Sequence, residues 1–250
     1  MPNERLRGCI SDADLTIDSV ASHVGVDRKT VERWISTGRV PHRNHRWKTS
    51  TLLKRDEIYL WPSLLDDKRV QGASDAEFVQ IFPHRGAVPH EMWKSLIDDA
   101  KDTLDILVYS GLFLVDNRPD FTDVLAEKAK SGMRVRMLFG DPDSAEITRR
   151  SEEEGIGTHG LSGRISVTLS YVSKLIGVPG VEIRLHDTIL YNSIYRSDST
   201  MLVNPHAYGS GAPFNPVLHL QRVPGGRMFD HYQASFDRVW QTGKPLESMR

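Results

Sequence analysis

The sequence has a single cysteine, Cys9, and no long hydrophobic run. One cysteine excludes both a disulfide framework and a cysteine-based metal site within the chain, so we expect Cys9 to be a small apolar residue in a reducing compartment. No stretch approaches 18 consecutive apolar residues, so we expect no membrane span. The first eleven residues lack the apolar segment of a signal peptide, which favours a cytoplasmic protein.

Neither sign of charge dominates the chain, since 32 Lys and Arg stand against 33 Asp and Glu. The distribution is nevertheless uneven. Residues 28–55 contain nine Lys or Arg and one acid, Glu32. Such a local excess is typical of a surface that binds a polyanion, although a basic run is often only a solvated face. The length of 250 residues is enough for two compact domains or one large one.

Two short helices joined by a glycine are predicted near the start of the chain. Thr16 is a suitable N-cap for the first helix, and Asp27 for a second that runs from Arg28 to about Ser36. Gly25 lies between them and can adopt the left-handed conformation of a tight turn. The apolar residues at helical spacing, which would face each other across the two helices, are Ile17, Val20, Ala21, Val24, Val26, Val31 and Trp34.

This pattern, with Ala21 at the helix crossing, Gly25 in the turn and Val31 in the core, resembles the Xre/Cro-type repressor domains over residues 15–61. The resemblance implies an all-α helix-turn-helix domain at residues 1–62, whose second helix enters the major groove of DNA by its N-terminal end. A helical hairpin that binds something else is the alternative.

The resemblance assigns two roles to the basic residues. Those on the outward face of the second helix would contact base edges or phosphates, and they are Arg28, Lys29, Thr30 and Arg33. The others would clamp the DNA backbone from a loop begun by Gly38 and Pro41, and they are Arg39, Arg43, Arg46 and Lys48. His42 and His45 lie in the same loop without a third ligand, so we expect no metal site. Trp47, Leu52, Leu53, Ile58, Leu60 and Trp61 would close the core with one or two further helices.

A polar stretch at residues 63–75 predicts a linker, followed by an α/β domain at residues 76–250. Helices and strands alternate in this second domain, which predicts right-handed crossovers and a largely parallel sheet. Strands are expected at 77–82, 104–109, 134–139, 181–186, 191–195, 200–203 and 217–220, and helices at 91–103, 121–130, 144–154, 165–176 and 229–240. The predicted fold class is therefore α+β with two domains, one all-α and one α/β.

The order of these elements resembles one phospholipase D-type domain. That superfamily carries the motif H-x-K-x4-D followed by an asparagine, in which the histidine is the nucleophile and the lysine holds the phosphate. The best match here is Tyr191-x-Ser193-x4-Asp198, with Asn204 six residues later. The histidine and lysine are thus replaced, and the resemblance implies a degenerate ligand-binding site that contains Tyr191, Ser193, Asp198, Asn204 and the nearby His186, with no catalytic residue.

Three interpretations of the second domain stay open. The fold is retained and the reaction lost, which we favour; or a rearranged site makes the chain an active phosphodiesterase or nuclease targeted to DNA; or the domain is some other α/β fold. Without a cation beside Tyr191, the transition-state charge would have no obvious stabiliser. The side chains available for a rearranged site are His186, His206, His219, His231, Arg184, Arg196 and Arg222.

Together the two domains predict a sequence-specific, DNA-binding transcriptional regulator. Single-motif members of the phospholipase D superfamily pair two chains across the site, so the resemblance implies a homodimer on a palindromic operator. A phosphorylated or other small effector would shift the dimer between DNA-competent and incompetent states, and no cofactor is implied. In the rival interpretation the second domain only dimerises or docks a protein partner.

Two loops of the second domain are also of interest. Residues 204–216 are rich in Gly and Pro and form either a lid over a ligand or a surface excursion. Pro83-His84-Arg85-Gly86 follows a predicted strand, where it is either an ordinary polar turn or a place for a phosphate.

Overall fold

The computed structural model describes residues 2–64 and 68–247. It divides into two compact units, Met1–Ala73 and Ser74–Arg250. Of the predicted linker, residues 65–67 lie outside the described part. The rest contains a short 3₁₀ turn, Pro62–Leu64, and the start of a helix, Lys68–Glu77.

The first unit is helical. Its helices are α1 (Glu4–Asp12), α2 (Ile17–Val24), α3 (Arg28–Thr37), α4 (Arg43–Leu53) and α5 (Glu57–Leu60). The predicted caps of α2 and α3 are confirmed: Thr16 accepts the Ser19 N–H at 3.1 Å, and Asp27 accepts the Lys29 N–H at 2.8 Å. Gly25 has a φ of 82°, the left-handed conformation that lets α3 turn away from α2.

A compact apolar core joins these helices. The Asn3 side chain links α1 to α5 by hydrogen bonds. Its Oδ1 accepts the Leu6 N–H at 3.0 Å, and its Nδ2 donates to the Leu60 carbonyl at 2.7 Å. The most deeply buried apolar side chains of the unit are Leu6, Val20, Val24, Val31, Trp34, Leu60 and Trp61.

The segment after Pro41 differs from the prediction of a basic loop. Arg43, Arg46 and Lys48 lie on α4, since no glycine or proline interrupts residues 42–53 and Thr49 and Leu53 give the helix a buried side. Trp47 is also on α4 but is 60% exposed, so its predicted place in the core is wrong.

The second unit is built around a mixed sheet. In its described residues the strands are β1 (Phe78–Phe82), β2 (Thr103–Leu107), β3 (Arg134–Gly140), β4 (Val181–His186), β5 (Asn192–Ser197), β6 (Thr200–Pro205), β7 (Val217–Gln221) and β8 (Lys244–Pro245). Their order across the sheet is β1-β7-β6-β5-β2-β3-β4-β8. Helix α6 (Lys68–Glu77) begins in the first unit and ends in the second. The further helices are α7 (His90–Asp98), α8 (Leu112–Asp116), α9 (Phe121–Lys130), α10 (Ala145–Glu153), α11 (Gly160–Val172) and α12 (Met228–Thr242).

The prediction of a largely parallel sheet is wrong. Only the pairs β2–β3 and β3–β4 are parallel in the described sheet, and all other pairs are antiparallel. The reason lies in the connections. Helices cross over from β2 to β3 and from β3 to β4, whereas a two-residue turn joins β5 to β6 and so forces a hairpin.

The two faces of the sheet carry different side chains. Asp105, Arg136 and Arg196 are aligned across β2, β3 and β5 on the face where Arg136 stacks on Phe236 of α12. Their neighbours on the opposite face include Tyr195, whose ring meets Trp93 of α7 at a centroid distance of 4.9 Å.

The beginning and the end of the second unit are joined by Glu77, the last residue of α6. This carboxylate is 1% exposed and accepts the N–H groups of Met228 and Phe229 at 2.7 and 3.3 Å, at the start of α12. Within the described ranges, no helix has both the length and the apolar character needed to cross a bilayer.

Candidate functional site

The outward side of α3 borders a groove of about 350 Å³, here called the basic groove. Its polar lining comes from Lys29, Thr30, Arg33, Arg39, His42 and His45. Gly38 ends α3 in a left-handed conformation and returns the chain across the helix, which brings Arg39 beside Arg33. The structure thus brings together four of the eight residues predicted to contact DNA.

Acids do not neutralise the basic groove. Arg7, Arg28 and Arg46 are among the cations that form ion pairs in this unit, whereas Lys29, Arg33 and Arg39 form none with any acid in the described residues. These three cations are therefore available to a polyanion without the loss of an internal salt bridge.

Arg28 lies at the start of α3 but is engaged within the protein. Its guanidinium contacts Glu32 and Asp18, each at 2.8 Å, although the side chain is 57% exposed. The hydrogen bond to Glu32, followed by the charge of Asp18, raises the pKa of Arg28. Contact with DNA would require this arginine to exchange its partners.

The basic residues of α4 have different environments. Arg46 is half-buried, pairs with Glu57 at 2.9 Å and donates to the Pro41 carbonyl at 3.2 Å. Lys48 donates to the Val24 carbonyl at 3.2 Å, at the C-terminus of α2, where a cation is favourable. Both side chains hold the helices together, whereas Arg43 is exposed on the same helix.

A cavity of about 220 Å³ lies in the second unit, at the carboxyl end of β2, and is called the Ser193 cavity below. Ser193 of β5 lines it, together with His206 just beyond β6 and Tyr109 just beyond β2. Residues 204–216 supply one wall through His206, Ala212 and Pro213. The carboxyl end of parallel strands is the usual place for ligands in sheets of this kind.

Ser193 and His206 form a hydrogen-bonded pair inside the cavity. The distance from Ser193 Oγ to His206 Nε2 is 3.1 Å, and His206 Nδ1 lies 3.2 Å from the Leu190 carbonyl. Because a carbonyl can only accept, Nδ1 carries the proton and Nε2 accepts the Ser193 hydroxyl. Burial, helped by the charges of Arg150 and Arg85, lowers the pKa of His206 to about 4, so the ring is neutral at pH 7.

Arg85 supplies a positive charge to the same cavity. Its guanidinium lies 4.1 Å from the centroid of the Phe113 ring and is half-buried. No ion pair of Arg85 occurs with any acid in the described part of the chain. Burial raises the pKa of the adjacent Tyr195 hydroxyl, against the opposing effects of the Arg85 charge and the Ser193 hydrogen bond.

Of the five residues predicted from the degenerate motif, the structure places only Ser193 in the cavity lining. Asp198 lies at the opposite end of β5, where its carboxylate accepts backbone N–H groups of residues 101–103. Tyr191 is 81% exposed outside the cavity. A grouping of Tyr191, Ser193 and Asp198 in one site is therefore wrong, because Asp198 follows the far end of β5 and the Tyr191 side chain is exposed to solvent.

The other two predicted residues serve the framework. Asn204 is fully buried and donates to the carbonyls of Asn215 and Pro216 at 3.2 and 2.8 Å, which closes the loop 204–216 on itself. His186 is 1% exposed, and its Nε2 lies 3.0 Å from the Val108 carbonyl. Burial lowers the pKa of His186.

Most side chains available for a rearranged active site are likewise engaged elsewhere. Arg184 donates to the Trp240 carbonyl, Arg196 pairs with Asp105 and Arg222 pairs with Asp230. Among the four histidines considered, His206 lines the cavity. No group of three or more His, Cys, Asp or Glu able to hold a metal ion occurs in the described residues.

Sequence reasoning missed Tyr109, Phe113 and Arg164 as cavity residues and left Arg85 as a possible phosphate contact in a turn. A signal existed for Tyr109, because Tyr109-Ser110-Gly111 directly follows a buried strand. Gly111 has a φ of 67° and lies against Val108 and Phe139, so the chain can turn there into α8 and bring Phe113 to the cavity. No comparable signal marks Arg164.

Comparisons with known proteins give one clear match. Residues 75–247 match the family described as a domain of unknown function, DUF5919. No curated protein matches the sequence. Among solved structures, the chain is similar to TrmBL2, described as an archaeal chromatin protein with a novel mode of DNA binding, at 11% identity and a TM-score of 0.43; the match covers 74% of this chain and 60% of that one. A likeness this low carries no functional inference.

Proposed function

Because the chain belongs to the DUF5919 family, a domain of unknown function, its role has to follow from its own residues, and we propose that it is a DNA-binding transcriptional regulator. The supporting observation is the basic groove, where Lys29, Arg33 and Arg39 meet without an acidic partner. We infer an Xre/Cro-type helix-turn-helix from α2, the Gly25 turn and α3.

The position of the cations along α3 suggests how DNA would be contacted. Lys29 and Thr30 lie in the first turn, where side chains reach base edges when a recognition helix enters the major groove. Arg33 is one turn further and Arg39 follows the helix, both suited to phosphates. A helix presented in this way by each of two chains would read a palindromic site, so we propose a homodimer.

We also propose that the second unit does not turn over phosphodiesters. Tyr191 and Ser193 replace the histidine and lysine of the phospholipase D motif, which the chain resembles by element order. His206 does contact Ser193, but a histidine whose pKa is about 4 is a weak base at pH 7. The wild-type chain should therefore hydrolyse bis(p-nitrophenyl) phosphate no faster than the Ser193→Ala variant. A higher rate for the wild type would favour the phosphodiesterase alternative.

The DNA-binding proposal is tested by selecting DNA from a random pool with the full chain. Binding of the winning sequence is then measured by fluorescence anisotropy over a range of salt, and the mass of the complex by sedimentation. We expect a palindromic site bound by two chains. We expect Lys29→Gln to weaken binding and relax base preference, and Arg33→Gln to weaken binding of all sequences and reduce the slope of log K against log salt by about 0.9.

The matched control is Arg149→Gln, which removes a cation that is 73% exposed on α10 of the second unit. This variant should bind the selected DNA like the wild type. The proposal is wrong if no sequence is enriched and the α3 variants bind like the control.

A further inference from the structure

The Ser193 cavity adjoins a second, wider space in the same unit. Beyond Arg85 and Phe113 lies a cleft of about 780 Å³, lined by the turn 83–86, by Trp93 of α7 and by Phe214. Arg85, Phe113 and Pro213 border both spaces. The two together are called the Arg85 cleft, which has one polar end and one aromatic end.

The polar end suits an anionic group. Arg85 and Arg164 line it, and neither forms an ion pair with an acid in the described residues. Of the two acids in the lining, Glu154 is neutralised by Arg150 at 2.8 Å, and Asp116 is exposed. The Ser193 hydroxyl and the neutral His206 ring add no negative charge, and since both donate their protons within the protein, the two guanidinium groups are the donors for an anion. Arg85 is hydrogen-bonded to the Tyr195 hydroxyl but has no acidic partner, and a half-buried guanidinium of this kind gains most from a charged acceptor.

The aromatic end suits a planar ring. Trp93 is fixed by edge-to-face contacts with Phe113 at 5.0 Å and Tyr195 at 4.9 Å between ring centroids, so its position is set before any ligand arrives. Phe214 also lines the cleft and is 77% exposed. A fixed aromatic side chain and an exposed one in the same lining offer apolar surfaces against which a ring can pack.

We propose that the Arg85 cleft binds a small organic anion that carries a planar ring, with the anionic group at Arg85 and Arg164 and the ring against Trp93 and Phe214. Nucleoside monophosphates and aromatic carboxylates share this chemistry. A ringless anion would leave the aromatic end empty, and a neutral ring would leave Arg85 without a counter-charge. The site lies in the second unit alone and does not rest on the proposed DNA binding.

The test is isothermal titration calorimetry of the full chain without DNA. The ring-bearing anions are AMP, GMP, CMP, UMP and salicylate; the neutral rings are adenosine and salicylamide; the ringless anions are phosphate and acetate. We expect at least one ring-bearing anion to bind at least tenfold more tightly than the neutral rings and the ringless anions. Binding of a nucleotide or of salicylate then shows whether the cleft accepts nucleoside monophosphates or aromatic carboxylates.

Variants locate the binding. Arg85→Gln should weaken the binding of the tightest ring-bearing anion at least tenfold. Phe214→Ala changes an exposed side chain, so it should weaken the binding of this anion without altering the melting temperature of the protein. The matched control is Arg238→Gln, an exposed cation on α12 outside the cleft, which should bind like the wild type. The proposal is overturned if no ring-bearing anion binds, if phosphate or adenosine binds as tightly, or if Arg85→Gln retains wild-type affinity. Since no DNA is present, these outcomes are independent of the DNA-binding test.

Discussion

Asp198 occupies a motif position for a structural reason. Its carboxylate accepts the N–H groups of Lys101, Asp102 and Thr103 at 2.8, 3.0 and 2.8 Å, which fastens the β5–β6 turn to the start of β2. Its φ of 49° lies in the left-handed region, which Asp and Asn tolerate better than most residues. An acid is therefore favoured at this turn whatever chemistry occurs at the other end of β5.

This environment gives a testable dependence of stability on pH. Burial raises the pKa of Asp198, but the three N–H bonds and the charge of Arg196 outweigh this effect and hold the pKa below its usual value. A carboxyl whose folded pKa is depressed contributes stability at neutral pH and loses it as the pH falls below about 4. Asp198→Asn keeps the backbone conformation and removes the charge, so we expect a loss of roughly 1–2 kcal/mol at pH 7. Urea titrations at pH 7 and near pH 3 measure the difference, which should shrink at the lower pH.

Asp143→Asn is the control for this prediction, because Asp143 is exposed. Equal unfolding free energies for the Asp198 and Asp143 variants at pH 7 would contradict the assigned role.

Among the secondary-structure elements, a buried ion cluster links three strands and a helix. Asp105 of β2 is fully buried and accepts hydrogen bonds from Arg136 of β3 at 2.7 and 2.9 Å and from Arg196 of β5 at 2.8 Å. Arg136 also reaches Asp237 of α12 at 3.0 Å and stacks on Phe236. One carboxylate thus compensates two guanidinium groups under α12.

We expect Asp105→Asn to cost roughly 3–5 kcal/mol, since it leaves two buried cations without their shared partner. Asp237→Asn serves as the matched comparison, because Asp237 is 45% exposed and its loss should cost about 1 kcal/mol or less. Urea unfolding of both variants measures the contrast. Similar losses would mean that the cluster does not depend on Asp105.

The elements that sequence reasoning found are those with local signals. Thr16, Gly25 and Asp27 mark the limits of α2 and α3 by capping chemistry, which acts within a few residues. The errors arise where the local signal is weak or absent. The α4 segment is rich in charged residues and has only a narrow buried face, so the sequence predicts a loop there. The strand directions depend on pairing between distant segments, which no local pattern specifies.

The same limit applies to the candidate site. Ser193 could be found from a motif, but Arg85, Trp93 and Phe113 come from three separate segments. They meet because β5 lies beside β2 and the segments after β1 and β2 reach the same end of the sheet. Only the assembled sheet brings the arginine and the aromatic rings together.

For the whole molecule, the two apolar cores share no residue. One contains Leu6, Val31 and Trp61 in the first unit, and the other contains Leu104, Met137 and Phe229 in the second. We therefore expect fragments of residues 1–67 and 68–250 each to fold and to unfold cooperatively, which far-UV circular dichroism and calorimetry can show. An unfolded fragment 68–250, beside a stable full chain, would contradict separate folding.

The position of Glu77 has a topological consequence. Glu77 is hydrogen-bonded to the start of α12, and β1, which directly follows Glu77, pairs with β7, so the first part of the second unit is held against its C-terminal part. A single cut of the chain at the exposed residues 207–209, between β6 and β7, would leave these contacts in place. The two pieces would stay assembled as a non-covalent pair, with the break in the loop 204–216 that supplies one wall of the Ser193 cavity.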